Sequence, residues 1–264
     1  MKITLYALFL SVVLFGCKTE NPEKIYKARS ITANDDFNVF PESKKNILSI
    51  VKTDSGALAY ADRFAIRYKD TTINIDDAPN PATKKFLDAI YINTQKTAVL
   101  VQVANEKGRK APFYIIAVNN GKTEVVSLNK PSNGANDKKN TVGAEAIKLT
   151  SLLINNDYFI NTVNSKVYEV KRQNEAERIQ GRFFMYSRDK RTLVFLVKST
   201  LYQVNVATGE TFIQPLPEGL INEPDTLIRT VQSDYSWVPS AKGTLFLKKN
   251  ADDNRIVDIK EFKH

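Results

Sequence analysis

An all-β fold of about five β-propeller-like blades is what this chain predicts, and three observations predict it. Short runs of β-type sequence dominate while helical periodicity is scarce. Polar or glycine-containing turns separate the runs. The runs also recur in groups, near the ~40–50 residue period of propeller repeats. A group standing alone would expose an apolar sheet face, and packing neighbours around an axis buries it. A β-sandwich or another all-β meander is the alternative for the same runs.

In chain order, Lys2 precedes an apolar run, 3–15, broken by Thr4 and Ser11. Leu14-Phe15-Gly16-Cys17 follows at its end, then an abrupt change to polar Lys18-Thr19-Glu20-Asn21-Pro22. The run has the length of a secretory signal and falls short of the ~18 residues of a membrane span. Gly16 is small but Leu14 is not, so the small-x-small pattern of ordinary cleavage is missing. Leu14-Phe15-Gly16-Cys17 resembles the lipobox of bacterial lipoproteins, although Phe15 is bulkier than the usual residue there. The resemblance implies a signal peptide over 1–16, diacylation of Cys17, and further acylation, of palmitate type, of the new N-terminus. Cys17 is the chain's one cysteine. It cannot staple an exported fold, and lipidation leaves no free thiol to explain. In Gram-negative lipoproteins an Asp after that cysteine favours inner-membrane retention. Lys18 stands there, so the resemblance implies an outer-membrane anchor, facing either the periplasm or the cell surface.

Residues 17–40 are polar, rich in Asn, Asp and Lys, and read as a tether, leaving 41–264 as a single propeller-like domain. Runs 47–51, 57–61, 64–68 and 71–75 form a compact first blade, turning at Thr53-Asp54-Ser55-Gly56. Runs 89–93, 98–104, 113–118 and 123–128 form the second. The stretch 129–143 contains Pro131, Gly134 and Lys138-Lys139 and reads as a long exposed loop. Runs 149–154, 158–163, 166–170 and 177–179 form the third blade. The fourth is clearest: 182–187, a polar turn, TLVFLV at 192–197, an alternating strand at 200–206, a Gly209 turn, and 211–216 carrying Pro215. Runs 235–238, 244–248 and 255–262 begin a fifth. Short helices are allowed at 81–90 and 144–152. Blades behind a lipidated cysteine resemble Gram-negative envelope lipoproteins, including a subunit of the machine that inserts outer-membrane barrels. No family motif accompanies the rhythm, so no functional residue beyond Cys17 carries over.

The chemistry on offer is narrow. The sole histidine is His264, the last of 264 residues. A side chain there is poorly held, which disfavours Ser-His-Asp and Cys-His catalysis and histidine-bound metals. Asn119-Asn120-Gly121-Lys122 and Ala207-Thr208-Gly209-Glu210 read as hairpin turns rather than phosphate loops. Asp54, Asp62, Asp157, Asp189 and Asp234 stand near strand ends, where turn formation explains them, although a facing pair could hydrolyse a glycan. Asp76-Asp77 and Asp252-Asp253 lack the alternating oxygens of a calcium loop. Phe183, Phe184, Tyr186, Phe195 and Tyr202 read as core, and Trp237 is either packing or a binding contact. The formal charge of +9 is spread along the chain, with acids interrupting the densest basic stretches, 106–110 and 171–191.

The expected function is a non-enzymatic protein-binding lipoprotein of the outer membrane, with an envelope or secreted protein as partner. No cofactor, metal, catalytic residue or nucleic acid enters that expectation. An immunity lipoprotein neutralising a periplasm-targeted toxin is one alternative, its basic body suiting an acidic toxin. A carboxylate-dependent glycan-binding or glycoside-hydrolysing protein is the other. Cys17→Ser is expected to yield an unlipidated chain that moves to the soluble fraction, read by fractionation and intact mass.

Overall fold

The computed structural model describes residues 22–250, except 45, 54–62, 78–79, 104–111 and 142. The Cys17 lipobox, the 57–61 and 255–262 runs, Asp54, Asp62, Asp252-Asp253 and His264 lie outside the described residues. Among the described residues the chain is all-β, in five sheets. Two short strands come first, β1 (Glu23–Lys27) and β2 (Arg29–Ser30). The first sheet comprises β3 (Leu48–Lys52), β4 (Phe64–Tyr68), β5 (Thr71–Asp77) and β6 (Asn80–Thr83), with β1 parallel to β5. The second is the antiparallel meander β7 (Asp88–Tyr91), β8 (Ala98–Gln102), β9 (Phe113–Asn119) and β10 (Lys122–Ser127), with β2 parallel to β10. A one-turn helix, α1 (Asp137–Asn140), precedes the third meander of β11 (Ala144–Ala146), β12 (Ser151–Ile154), β13 (Tyr158–Asn161) and β14 (Lys166–Glu169). The fourth runs β15 (Arg182–Tyr186), β16 (Thr192–Val197), β17 (Thr200–Asn205) and β18 (Thr211–Pro215). Helix α2 (Pro224–Asp234) then leads into a hairpin of β19 (Tyr235–Pro239) and β20 (Leu245–Lys249).

The sheets follow one another face to face. Val99, Val101, Tyr114 and Ile116 of the second sheet pack against Leu48, Ile66, Ile73 and Ile75 of the first. Their neighbours Ala98, Leu100, Phe113 and Ile115 point the other way, onto Ile154, Tyr158 and Ile160 of the third. Both faces are covered, so β8 and β9 read as unbroken apolar runs rather than alternating ones. Leu153 and Phe159 meet Leu193, Phe195, Tyr202 and Val204 of the fourth sheet. On that sheet's other face, Val194, Leu196 and Leu201 meet Leu227 and Val231 of α2 and Tyr235 and Leu247 of the hairpin. Each such side chain contributes about 1.5–3 kcal/mol when fully buried. Among the described residues, none of these four clusters joins the hairpin back to the first sheet.

Several expectations are corrected. The 17–40 tether is shorter than read, because β1 pairs with Thr72 to Asp76 and Phe37 is buried in the second cluster. Glu23–Lys27 is almost wholly exposed and carries no apolar run, so only the edge of β5 specifies it as a strand. The helix allowed at 81–90 is β6 and β7; pairing with β8 overrides the spacing of Phe86 and Ile90. That at 144–152 is β11, a 3-10 turn (Lys148–Thr150) and the start of β12. Residues 177–179 form no strand of that sheet, Glu177 making an isolated bridge, and β11 supplies its remaining strand. Helix α2 was not expected; its signals are Pro224 at the first turn and Leu227 and Val231 one turn apart, both buried.

Two polar side chains replace missing strand contacts. The Tyr91 hydroxyl donates to the Leu48 carbonyl at 3.0 Å and accepts from Ile50 N–H at 3.3 Å, covering the open edge of β3. Gln203, fully buried on β17, donates to the Leu247 carbonyl at 2.6 Å and accepts from its N–H at 2.7 Å, docking the hairpin. Gln203→Met keeps the volume and strands both groups. Stability is expected to fall by about 2–4 kcal/mol, read as a lower urea midpoint.

Candidate functional site

Every sheet sends turns to one shared end, and bonds between neighbouring sheets fix that end. Leu48 N–H donates to the Lys96 carbonyl at 2.8 Å, and the Ser165 hydroxyl to the Ile92 carbonyl at 3.2 Å. Lys190 Nζ donates to Thr150 Oγ1 at 3.0 Å, and the Thr244 hydroxyl to Glu210. The turns there recur in design. Asn93 Oδ1 accepts the N–H of Thr97 at 3.1 Å, Ser187 Oγ that of Thr192 at 2.9 Å, and Ser240 Oγ that of Thr244 at 3.2 Å. All three threonines are buried.

These turns gather cations that the linear sequence scatters. The first sheet brings Lys69, the second Lys96 and Lys122, and the third Lys148 and Lys166. The fourth brings Arg188, Lys190 and Arg191, and the hairpin Lys242. Against them stand Asp70, Asp189 and Glu210. Asp189 is held in its turn by the Ser187 hydroxyl at 2.5 Å and Arg191 N–H at 3.1 Å. Lys69, Lys96, Lys148 and Lys190 have φ between 55° and 58°, the left-handed region where glycine or asparagine is the easier choice. Lys69, Lys96, Lys148 and Lys166 each hold the ammonium 5.1 to 5.8 Å from a tyrosine ring centre, which leaves the charge in place. Apolar side chains protrude among them: Leu149 is 99% exposed and Val163 72%. A bond from Thr162 N–H to the Thr150 carbonyl brings their two turns together. Phe40, 73% exposed, follows Val39, whose carbonyl accepts from the Thr97 hydroxyl.

The opposite end carries the longer connections. Asp157 and Arg172 are buried there, at 1% and 2% exposure. Arg172 Nε donates to Asp157 Oδ1 at 2.9 Å and Arg178 Nε to Oδ2 at 3.0 Å. The rest of the Arg172 guanidinium donates to the carbonyls of Lys130, Pro131 and Glu175. Arg178 also reaches the Thr141 hydroxyl, and Gln180 reaches Asp137 Oδ1 at 2.6 Å. A side chain at Gly134 would collide with that last contact. The 129–141 stretch is largely exposed, as expected from its composition, and it is also clamped. Burial works against charge on Lys130, but Glu169 and Glu175 outweigh it and hold the ammonium above the ordinary lysine range. Lys130 in turn holds Glu175 below the usual carboxylate range.

Among the described residues the candidate acids do not converge. Asp157 spends both oxygens on arginines, Asp189 lies at the turn end, and Asp234 closes α2 beside the Ser233 hydroxyl. Asp77 accepts from the Tyr114 hydroxyl at 2.8 Å. Phe183, Phe184, Tyr186, Phe195 and Tyr202 line the third and fourth clusters, and Trp237 packs half-buried on the fourth. Among the described residues no three His, Cys, Asp or Glu side chains gather to hold a metal ion. Sequence reasoning missed the turn end because its residues come from different sheets, and the clamp because Arg172 and Arg178 lie 15 and 21 positions from Asp157. No protein-family model matches the chain, and no curated protein matches its sequence. Asp157→Asn leaves Arg172 buried without its counter-charge. It is expected to cost about 3–5 kcal/mol and to raise hydrogen exchange across 129–141 above the surrounding sheets.

Proposed function

We propose that this chain is an outer-membrane lipoprotein, anchored by acyl chains on Cys17, whose sheets form a propeller-like body acting as a non-enzymatic protein-binding module. The observation that carries the reading is the clamped loop. Replacing a buried ion pair with apolar side chains is often neutral or stabilising, so stability alone is a weak reason for Asp157, Arg172 and Arg178. What they do achieve is one fixed conformation for a long surface loop. A loop ordered in advance loses less entropy on binding, and binding residues concentrate on loops held by rigid scaffolds. The face-to-face order of the sheets supports the propeller-like arrangement. The dispersal of Asp157, Asp189 and Asp234 among the described residues favours binding over two-carboxylate hydrolysis.

A photo-crosslinking residue at Asn133 or Lys139 is expected to trap the same discrete envelope protein in intact cells, and Asp157→Asn to abolish the adduct. Adducts unchanged in that variant, or none from either position, overturn the reading.

A further inference from the structure

We propose that the basic turn end rests on the anionic phospholipid headgroups of the leaflet that holds the Cys17 acyl chains; this rests on the lipidation reading above. The first argument is where the chain enters the fold. The Pro22 carbonyl accepts from Thr72 N–H at 2.9 Å, and β1 then runs away alongside β5. Thr72 is the second residue after the turn at Lys69-Asp70, so the N-terminal segment joins the body at the turn end. Cys17 precedes Pro22 by only five residues. Even fully extended, that stretch spans at most about 18 Å. A small folded domain is about 30 Å across, so no protein layer fits between this entry point and the bilayer.

Charge is the second argument. Arg29, Lys130, Arg172 and Arg178 all have carboxylate partners within 3.0 Å. Of the cations in the turns, only Lys242 has one among the described residues, 3.9 Å from Glu210. These cations are spread over successive sheets, which pack ~10 Å apart, so they form a broad array rather than a pocket. Their chemistry is mostly lysine, which protein interfaces avoid, whereas juxtamembrane lysines are drawn to anionic headgroups. Leu149, Val163 and Phe40 project from the same end, with side chains suited to the headgroup–acyl boundary. Lysines kept at left-handed positions, where glycine fits more easily, make sense if their charge is what the turns must present.

The test uses the full lipidated protein in vesicles of zwitterionic phospholipid, with or without anionic phospholipid. Val163→Cys and Asn133→Cys each add one thiol for an environment-sensitive dye, since lipid blocks Cys17. In anionic vesicles, headgroup-depth quenchers are expected to quench the dye at 163 and not at 133. Combining Lys122→Glu, Arg188→Glu and Lys242→Glu is expected to lower the docked-to-undocked ratio by about tenfold or more, as is high salt. Equal quenching at both positions overturns the proposal. So does a dye at 163 that anionic vesicles leave unquenched but a soluble acidic envelope protein protects. Dye uptake by the unsubstituted chain reports a free Cys17 thiol and overturns the anchor itself, an outcome separable from wrong orientation with Cys17 blocked.

Discussion

A sheet that is apolar on both faces cannot stand alone in water, and this constraint organises the molecule. The second, third and fourth sheets each place one set of alternate side chains on the preceding neighbour and the other on the next. The sheets must then stand in a row, and their turns must emerge at two opposite ends. The basic turn end and the clamped end both follow from that division. Residues far apart in sequence become neighbours at an end because the strands that lead to them are packed in order.

The two ends solve different electrostatic problems. Where Asp157 meets Arg172 and Arg178, charge is taken out of water, and both carboxylate oxygens and four guanidinium bonds are satisfied. Low dielectric makes such a network rigid, because any half-made version is heavily penalised. At the turn end the cations are mostly exposed, four lysines hold the ammonium over a tyrosine ring, and only Lys242 has a carboxylate partner among the described residues. One end fixes shape and the other displays charge.

The strand rhythm was legible where burial is two-sided or the pleat is strict. TLVFLV at β16 and the alternating β17 show this best, together with the second sheet from β7 to β10. The failures share a cause. Strands β1 and β11 carry little apolar content and exist because a neighbouring edge accepts them. Residues 81–90 have helical spacing that edge pairing defeats. Asp157 looked like a turn residue and is one, but its arginine partners lie 15 and 21 positions away. A charge array built from one or two residues per turn has no linear signature at all.

Tyr91 has a further consequence. The edge of β3 would otherwise offer main-chain groups in the register that an incoming strand from another molecule needs. Its phenol oxygen occupies two of those positions, on the Leu48 carbonyl and the Ile50 N–H. A blocked border here keeps neighbouring copies of the chain from seeding intermolecular sheet growth.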